Sequence, residues 1–141
     1  MNSDKAKKLL LQHYSNLKFE VEYKEGKVNL VAKGVKFKSF DDDTRIEITF
    51  KDDGVATVTF VFDKLLPSLR NYELINQFND NVGFLKAYIT ERNNNKFFCI
   101  ESYVYECVTE ENAVDTVVNM VKMLTTERTL KYLLPITTIT D

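Results

Sequence analysis

Tryptophan is absent from this chain, histidine occurs once, proline and cysteine twice each, and glycine four times in 141 residues. Each scarcity removes a class of chemistry. The four glycines, Gly26, Gly34, Gly54 and Gly83, are isolated, so no glycine-rich phosphate loop can be built. One histidine and two cysteines cannot supply the four nitrogen and sulfur ligands, in paired spacings, of a structural zinc site. His13 sits on a lysine-rich helical stretch without a patterned partner and reads as a surface or helix-end residue. Cys99 and Cys107 fall eight apart in one predicted strand, roughly 26 Å from each other along it, too far to pair there. They read as two buried free thiols. No segment approaches the ~18 consecutive apolar residues of a membrane span. The apolar patch after "MNSDKAKK" is too short for a signal-peptide core, and no small-residue cleavage site follows it. The expectation is a cytoplasmic protein with no membrane partner.

Arginine is missing from residues 1–40, although nine lysines stand there against four acids. The remaining residues carry ten basic side chains against seventeen acids, so a chain of net charge −2 divides into a basic start and an acidic remainder. Such asymmetry can mark a basic docking face. A nucleic-acid reader would draw on arginine, so no nucleic-acid partner is expected, and alternating lysines that solvate strands and a first helix are the simpler reading.

What is present describes a folded α+β domain. The length suggests one domain spanning 1–141, and a chain of this size buries roughly two-thirds of its unfolded surface. Ten Phe and seven Tyr supply the bulk that tryptophan does not. Ser3 to Ser15 has helical spacing, with Ala6, Leu9, Leu10 and Tyr14 on one side. Leu17 to Lys24 alternates with period two, Glu25-Gly26 turns, and Val28, Leu30 and Ala32 resume the alternation, a hairpin by pattern. Gly34 is placed to bend that strand before Val35–Phe37. "SFDDDT" reads as a loop, because Asp competes for backbone donors. Arg45–Phe50, an Asp53-Gly54 turn and Val55–Phe62 make a second hairpin, with Val58, Phe60 and Phe62 inward and Thr57 and Thr59 toward water.

A second helix starts at Pro67-Ser68, with Ser68 as its cap and Leu69, Tyr72, Ile75, Phe78 and Val82 on one face. Phe84–Arg92 and Lys96–Val108 are strands joined by a turn at Asn93–Asn95. Thr109 caps a third helix with Glu110 and Glu111 in its first turn, where the helix dipole favours acids. Ala113, Val114, Val117, Val118, Val121 and Leu124 form its apolar stripe. That helix continues, with a break at Thr125-Thr126, through Leu130, Leu133 and Leu134 until Pro135 ends it. The order is α-β-β-β-β-α-β-β-α, three helices on a largely antiparallel sheet.

Catalytic material is thin. Asp41-Asp42-Asp43 does not begin an EF-hand loop: counted from Asp41, the sixth residue is Ile46 where glycine is needed, and the twelfth is Asp52 where glutamate is needed. The pairs Glu20/Glu22 and Glu101/Glu106 each have a simpler place on a solvated strand face. Phe97, Cys99, Tyr103 and Tyr105 share a face, but in acidic surroundings that repel phosphate, so packing under a helix is expected rather than base stacking. No catalytic residue, cofactor or metal is assigned, and the chain reads as a non-enzyme.

Within "INQFNDNVGFLKAYI" (75–89) the amides divide. Ile75 and Phe78 pack inward, Asn76 and Asn79 tie the helix to nearby backbone, and Asp80-Asn81 end the helix, where Asn tolerates a left-handed turn. Asn76, Asn79 and Asn81 are therefore expected as structural amides.

The segments "TRIEITFKDDGVATVTFVF", "LLPSLRNYELINQFNDNVGFLKAYI" and "KFFCIESYVYECVTEENAVDTVVNMVKML", roughly residues 44–124, resemble the YbjN-like family of bacterial sensory transduction regulators. Asn76, Phe78 and Asn79 match its helix positions, Phe84, Ala87 and Tyr88 its strand, and Thr109–Glu111 its capped helix. The resemblance implies a fold like that of type III secretion chaperones, often dimeric, with no catalytic residues to carry over. That pattern usually has three strands before the second helix, where this chain has four, so the first hairpin is either an addition or one strand read as two. The function expected is a chaperone-like or regulatory adaptor that binds another protein and forms a homodimer. Its tail at 126–141 would supply an interface through Leu130, Leu133, Leu134, Ile136 and Ile139. The alternative is a small-molecule or cation-binding protein, or an enzyme, with a pocket between sheet and helix lined by Asp41–Asp43, Asn76 and Asn79.

Overall fold

The computed structural model describes residues 3–24, 27–37, 40–51, 55–62, 69–83, 85–104 and 109–137. Their elements run α1 (Ser3–His13), β1 (Glu20–Lys24), β2 (Lys27–Phe37), β3 (Phe40–Phe50), β4 (Ala56–Phe62), α2 (Leu69–Asn81), β5 (Lys86–Arg92), β6 (Asn95–Val104), α3 (Glu110–Leu124) and α4 (Glu127–Thr137). The six strands form one antiparallel sheet in the order β1-β2-β3-β4-β6-β5. The expected α+β class holds, with a fourth helix added to the expected three. Four separate strands precede α2, so the first hairpin is not one strand read as two.

Period-two alternation assigns the two faces of the sheet. Leu30, Ile48 and Val58 lie abreast across β2, β3 and β4, as do Ile46, Phe60, Ile100 and Ala87 across β3, β4, β6 and β5. This face meets the helices: Ala6 and Leu10 of α1, Ile75 and Phe78 of α2, Val117 and Met120 of α3 and Leu133 of α4 join it in one buried cluster. Phe60 lies at its centre, fully buried, with the Phe37 ring stacked at 6.0 Å between centroids.

Several local expectations are met. Gly34 has φ +64°, a conformation L side chains rarely adopt, and the β2–β3 register shifts between Ala32 and Val35 where it sits. Asn93 and Asn94, with φ 50° and 65°, close the β5–β6 hairpin as a two-residue turn, the geometry that matches strand twist. Thr109 caps α3: its hydroxyl accepts from the Asn112 N–H and the Asn112 side chain accepts from the Thr109 N–H, both at 3.2 Å. The Thr125-Thr126 break is present because both hydroxyls donate back to carbonyls of α3, Lys122 and Met123, at 2.8 Å, while Thr126 also accepts from Thr129 N–H to start α4.

Others are corrected. Phe40–Thr44 are not a loop but the first half of β3, paired with β2 through Phe37–Phe40 and Val35–Thr44. Pairing with a lysine-rich strand overrides the low strand propensity of aspartate, and Lys36 lies 3.9 Å from Asp43. Pro135 does not end the last helix, which runs to Thr137. Proline removes only one hydrogen bond near the helix end, and fully buried Ile136 holds the next residue in place. Thr57 and Thr59 are buried, not in water, and Phe97, Cys99 and Tyr103 lie on the face opposite the helices while Phe98 and Ile100 take the helix side. Tyr72 of α2 is exposed. The turns at Glu25-Gly26 and Asp53-Gly54, the Pro67-Ser68 start, and Phe84, Tyr105, Glu106, Cys107 and Ile139 lie outside the described residues.

Candidate functional site

Helix α4 carries Leu130, Leu133, Leu134 and Ile136 of the residues singled out as an interface, and the fold divides them. Leu133 and Ile136 are 0–1% exposed and complete the chain's own core. Leu130 and Leu134 are half-buried and, with Tyr132 and Pro135, line an open groove of about 1130 Å³ rimmed by Glu127, Arg128 and Lys131. The helix is seated against α2: Arg128 Nε donates to the Asn81 carbonyl at 3.1 Å. The inward side of α4 is thus filled, and its outward side presents leucine, tyrosine and proline between charges of both signs.

The three amides also separate. Asn79 donates through Nδ2 to the Ala87 carbonyl at 2.9 Å and accepts through Oδ1 from the Ala87 N–H at 2.7 Å. Ala87 lies on edge strand β5, so one side chain satisfies both outward backbone groups there, as a neighbouring strand would. Asn81 Nδ2 donates to the Gln77 carbonyl at 2.8 Å and secures the end of α2. Asn76 is exposed on the same helix. Asn79 and Asp43 do not converge: one docks on β5 and the other is on β3, with β6 and β4 between. Among the described residues no group of three or more His, Cys, Asp or Glu is placed to hold a metal ion. His13 stands exposed at the end of α1.

A polar cluster that pattern reading missed lies on the sheet face opposite the described helices. Glu47, 8% exposed, accepts from Arg92 Nη1 and Nη2 at 2.8 and 2.9 Å and from Arg45 Nε; Arg45 Nη2 also reaches Glu22 at 3.0 Å. Beside this network Tyr88 donates its hydroxyl to Glu101. Glu47, Thr59, Glu101 and Lys86 lie abreast, and Arg92 is six residues further along β5. A flat sheet would hold the Glu47 and Arg92 Cα atoms roughly 24 Å apart. Their direct ion pair therefore needs a coiled sheet whose β5–β6 corner folds over the face opposite the described helices. The coil also explains why Val31, Val61 and Cys99 are buried although they stand outside the helix-covered cluster.

Electrostatics follow from this geometry. Burial alone would raise the Glu47 carboxyl pKa, but the hydrogen bonds and charge of Arg92, with Arg45, outweigh it and hold the group below the ordinary carboxylate value. Burial, then the bond to Glu101, raises the Tyr88 phenol far above its usual value. Burial pushes the Cys99 thiol up to about 12. Every one of these groups is held in its resting state, which suits a structural buckle and not acid–base work. The signal that could have found it was Arg45-x-Glu47 on one strand face, which periodicity marks only as polar.

No helix among the described residues is long and apolar enough to cross a membrane. What fold and site define together is a class: an α+β domain with a six-stranded antiparallel sheet, helices on one face and a charged buckle on the other. Comparison with protein families, characterised proteins and solved structures finds no match for the chain.

Proposed function

We propose that the chain is a non-catalytic protein-binding module, a chaperone-like or regulatory adaptor, that self-associates through the outward side of α4. The observation that carries this reading is the groove along α4, where Leu130, Tyr132, Leu134 and Pro135 lie between Glu127, Arg128 and Lys131. An antiparallel two-fold pairing of this face with its copy can set Glu127 beside Lys131 of the second chain, so the rim is complementary to itself. The pattern of residues 44–124, read as YbjN-like and through it as akin to the often dimeric type III secretion chaperones, is part of the same proposal. The setting proposed is the cytoplasm, where a buried free thiol such as Cys99 persists.

Light scattering on the full chain at micromolar concentration tests the proposal. A dimer is expected. Charge reversal at exposed Lys131 (Lys131→Glu), which sets like charges against Glu127, should shift the protein toward monomer with its circular dichroism unchanged. A wild-type monomer overturns the reading, as does a dimer indifferent to Lys131→Glu and to Leu134→Asp.

A further inference from the structure

The basic start of the chain, left over by the proposed function, folds into a second concave surface. Between α1 and the beginning of β1 lies a hollow of about 300 Å³, floored by Leu11, Leu17 and Phe19 and ringed by Lys7, Lys8 and Lys18, with Glu20 at its β1 end. Leu11 is 56% exposed, unusual for a leucine on a helix whose Ala6 and Leu10 are fully buried. Among the described residues none of the three lysines has an acid within ion-pair distance. Other cations of the chain do find acids: Lys5 of the same helix pairs with Glu111 at 2.9 Å, Lys33 with Glu22 at 3.4 Å, and Arg45 and Arg92 with Glu47.

Three unmatched ammonium groups around an apolar floor repel one another, and an occupant that brings carboxylates relieves the repulsion while an apolar side chain covers Leu11. We infer that this hollow docks an acidic segment of a partner protein, an aliphatic or aromatic residue flanked by Asp and Glu. The inference shares with the proposed function the premise that the chain binds protein, but it uses a different surface.

Other anionic occupants fit less well. A membrane-surface helix presents a convex apolar stripe to lipid, whereas α1 turns Ala6 and Leu10 into the core and leaves one leucine in a hollow. A nucleic acid would be met by arginine and stacking rings; the hollow offers lysine and a buried phenylalanine.

Fluorescence anisotropy with the full chain and a short labelled peptide, leucine flanked by Asp and Glu, tests the site. Binding is expected to weaken with salt, and to fall about tenfold or more in Lys8→Glu/Lys18→Glu and in Leu11→Ser. A peptide with the leucine replaced by serine, and one with its acids replaced by lysine, should both bind less. All three substituted residues are exposed, and circular dichroism confirms that the variants fold. No binding of the acidic peptide, binding unaffected by the variants, or tighter capture of phosphatidylserine vesicles or a single-stranded oligonucleotide overturns the inference. Light scattering of the same variants separates the two surfaces: a dimer that no longer binds peptide places the defect at the hollow and leaves the α4 reading standing. Loss of the dimer in these variants would assign the hollow to self-association and overturn the peptide reading.

Discussion

The two faces of the sheet solve the same problem, excluding water, by different means. On one face Leu30, Ile46, Ile48, Val58, Phe60 and Ile100 are fully buried beneath four helices, and hydrophobic burial does the work. On the other no helix is described, yet Val31, Val61 and Cys99 are buried nearly as deeply. There Glu47 stands beside Val31, Arg45 beside Val61 and Tyr88 beside Cys99 on neighbouring strands, and Arg45, Arg92 and Tyr88 are drawn together by Glu47 and Glu101. The first face tolerates no loss of volume. The second tolerates no loss of charge balance, because its cover is held by ion pairs that cross strands.

The comparison is tested hardest on the helix-covered face. Phe60→Ala removes a fully buried ring that stacks on Phe37 in the middle of the sheet and leaves a cavity. A loss of about 3–5 kcal/mol in urea denaturation is expected, a large part of the stability of an ordinary domain. A loss below about 1 kcal/mol would mean that the core is not centred where the helices meet β4.

Glu47→Gln tests the other face. It keeps the shape but leaves two guanidiniums facing a neutral amide, and a loss of about 2 kcal/mol at neutral pH is expected. The figure stays below that of a fully enclosed pair because Arg45 and Arg92 remain about a third exposed. The acid limb gives the sharper reading. The Glu47 carboxyl is held below its unfolded value, so its stabilisation is fully present above about pH 4.3 and disappears as pH falls through the lower folded value. Wild type should therefore lose its advantage over Glu47→Gln on acidification, and the two stability curves should converge once the pH has fallen through the lower folded value. Parallel curves would remove the ion pair from the account of this face.

What was legible in the chain follows from which forces are local. Alternation in Arg45–Phe50, the Thr109 cap, the Asn93-Asn94 turn and the Thr125-Thr126 break are written within a few residues, and all appear in the fold, whereas the strand expected over Leu17–Lys24 begins only at Glu20. Asn79 was legible as an amide that ties a helix to backbone, though not the strand it serves. The strand character of Phe40–Thr44 was not, because it comes from pairing with β2 rather than from aspartate itself. Nor was the burial of Thr57 and Thr59, since period two assigns a residue to a face but cannot say that the face will coil and carry Arg92 across two strands. Leu133 and Leu134 are adjacent in the same apolar run, and only packing against α2 and the sheet sends one into the core and the other to the groove rim.

The smallest expected effect concerns Cys99, and it asks whether the face opposite the described helices is truly dry. The residue is fully buried there on the side away from the described helices, and burial pushes its thiol up to about 12, so almost none is thiolate at neutral pH. In a Cys107→Ser background, which leaves Cys99 as the one thiol, a disulfide reagent at pH 8 should label the folded protein about a thousandfold more slowly than the unfolded chain, whose thiol titrates near 8.5. The charge network bears on this rate directly. If Arg92 and Glu47 hold the β5–β6 corner over the face, Glu47→Gln should speed the labelling of Cys99 by more than Phe60→Ala does at matched global stability, because only the former loosens the cover locally. Equal acceleration at matched stability would mean that Cys99 is reached through global unfolding alone, and that the two faces share one barrier to water.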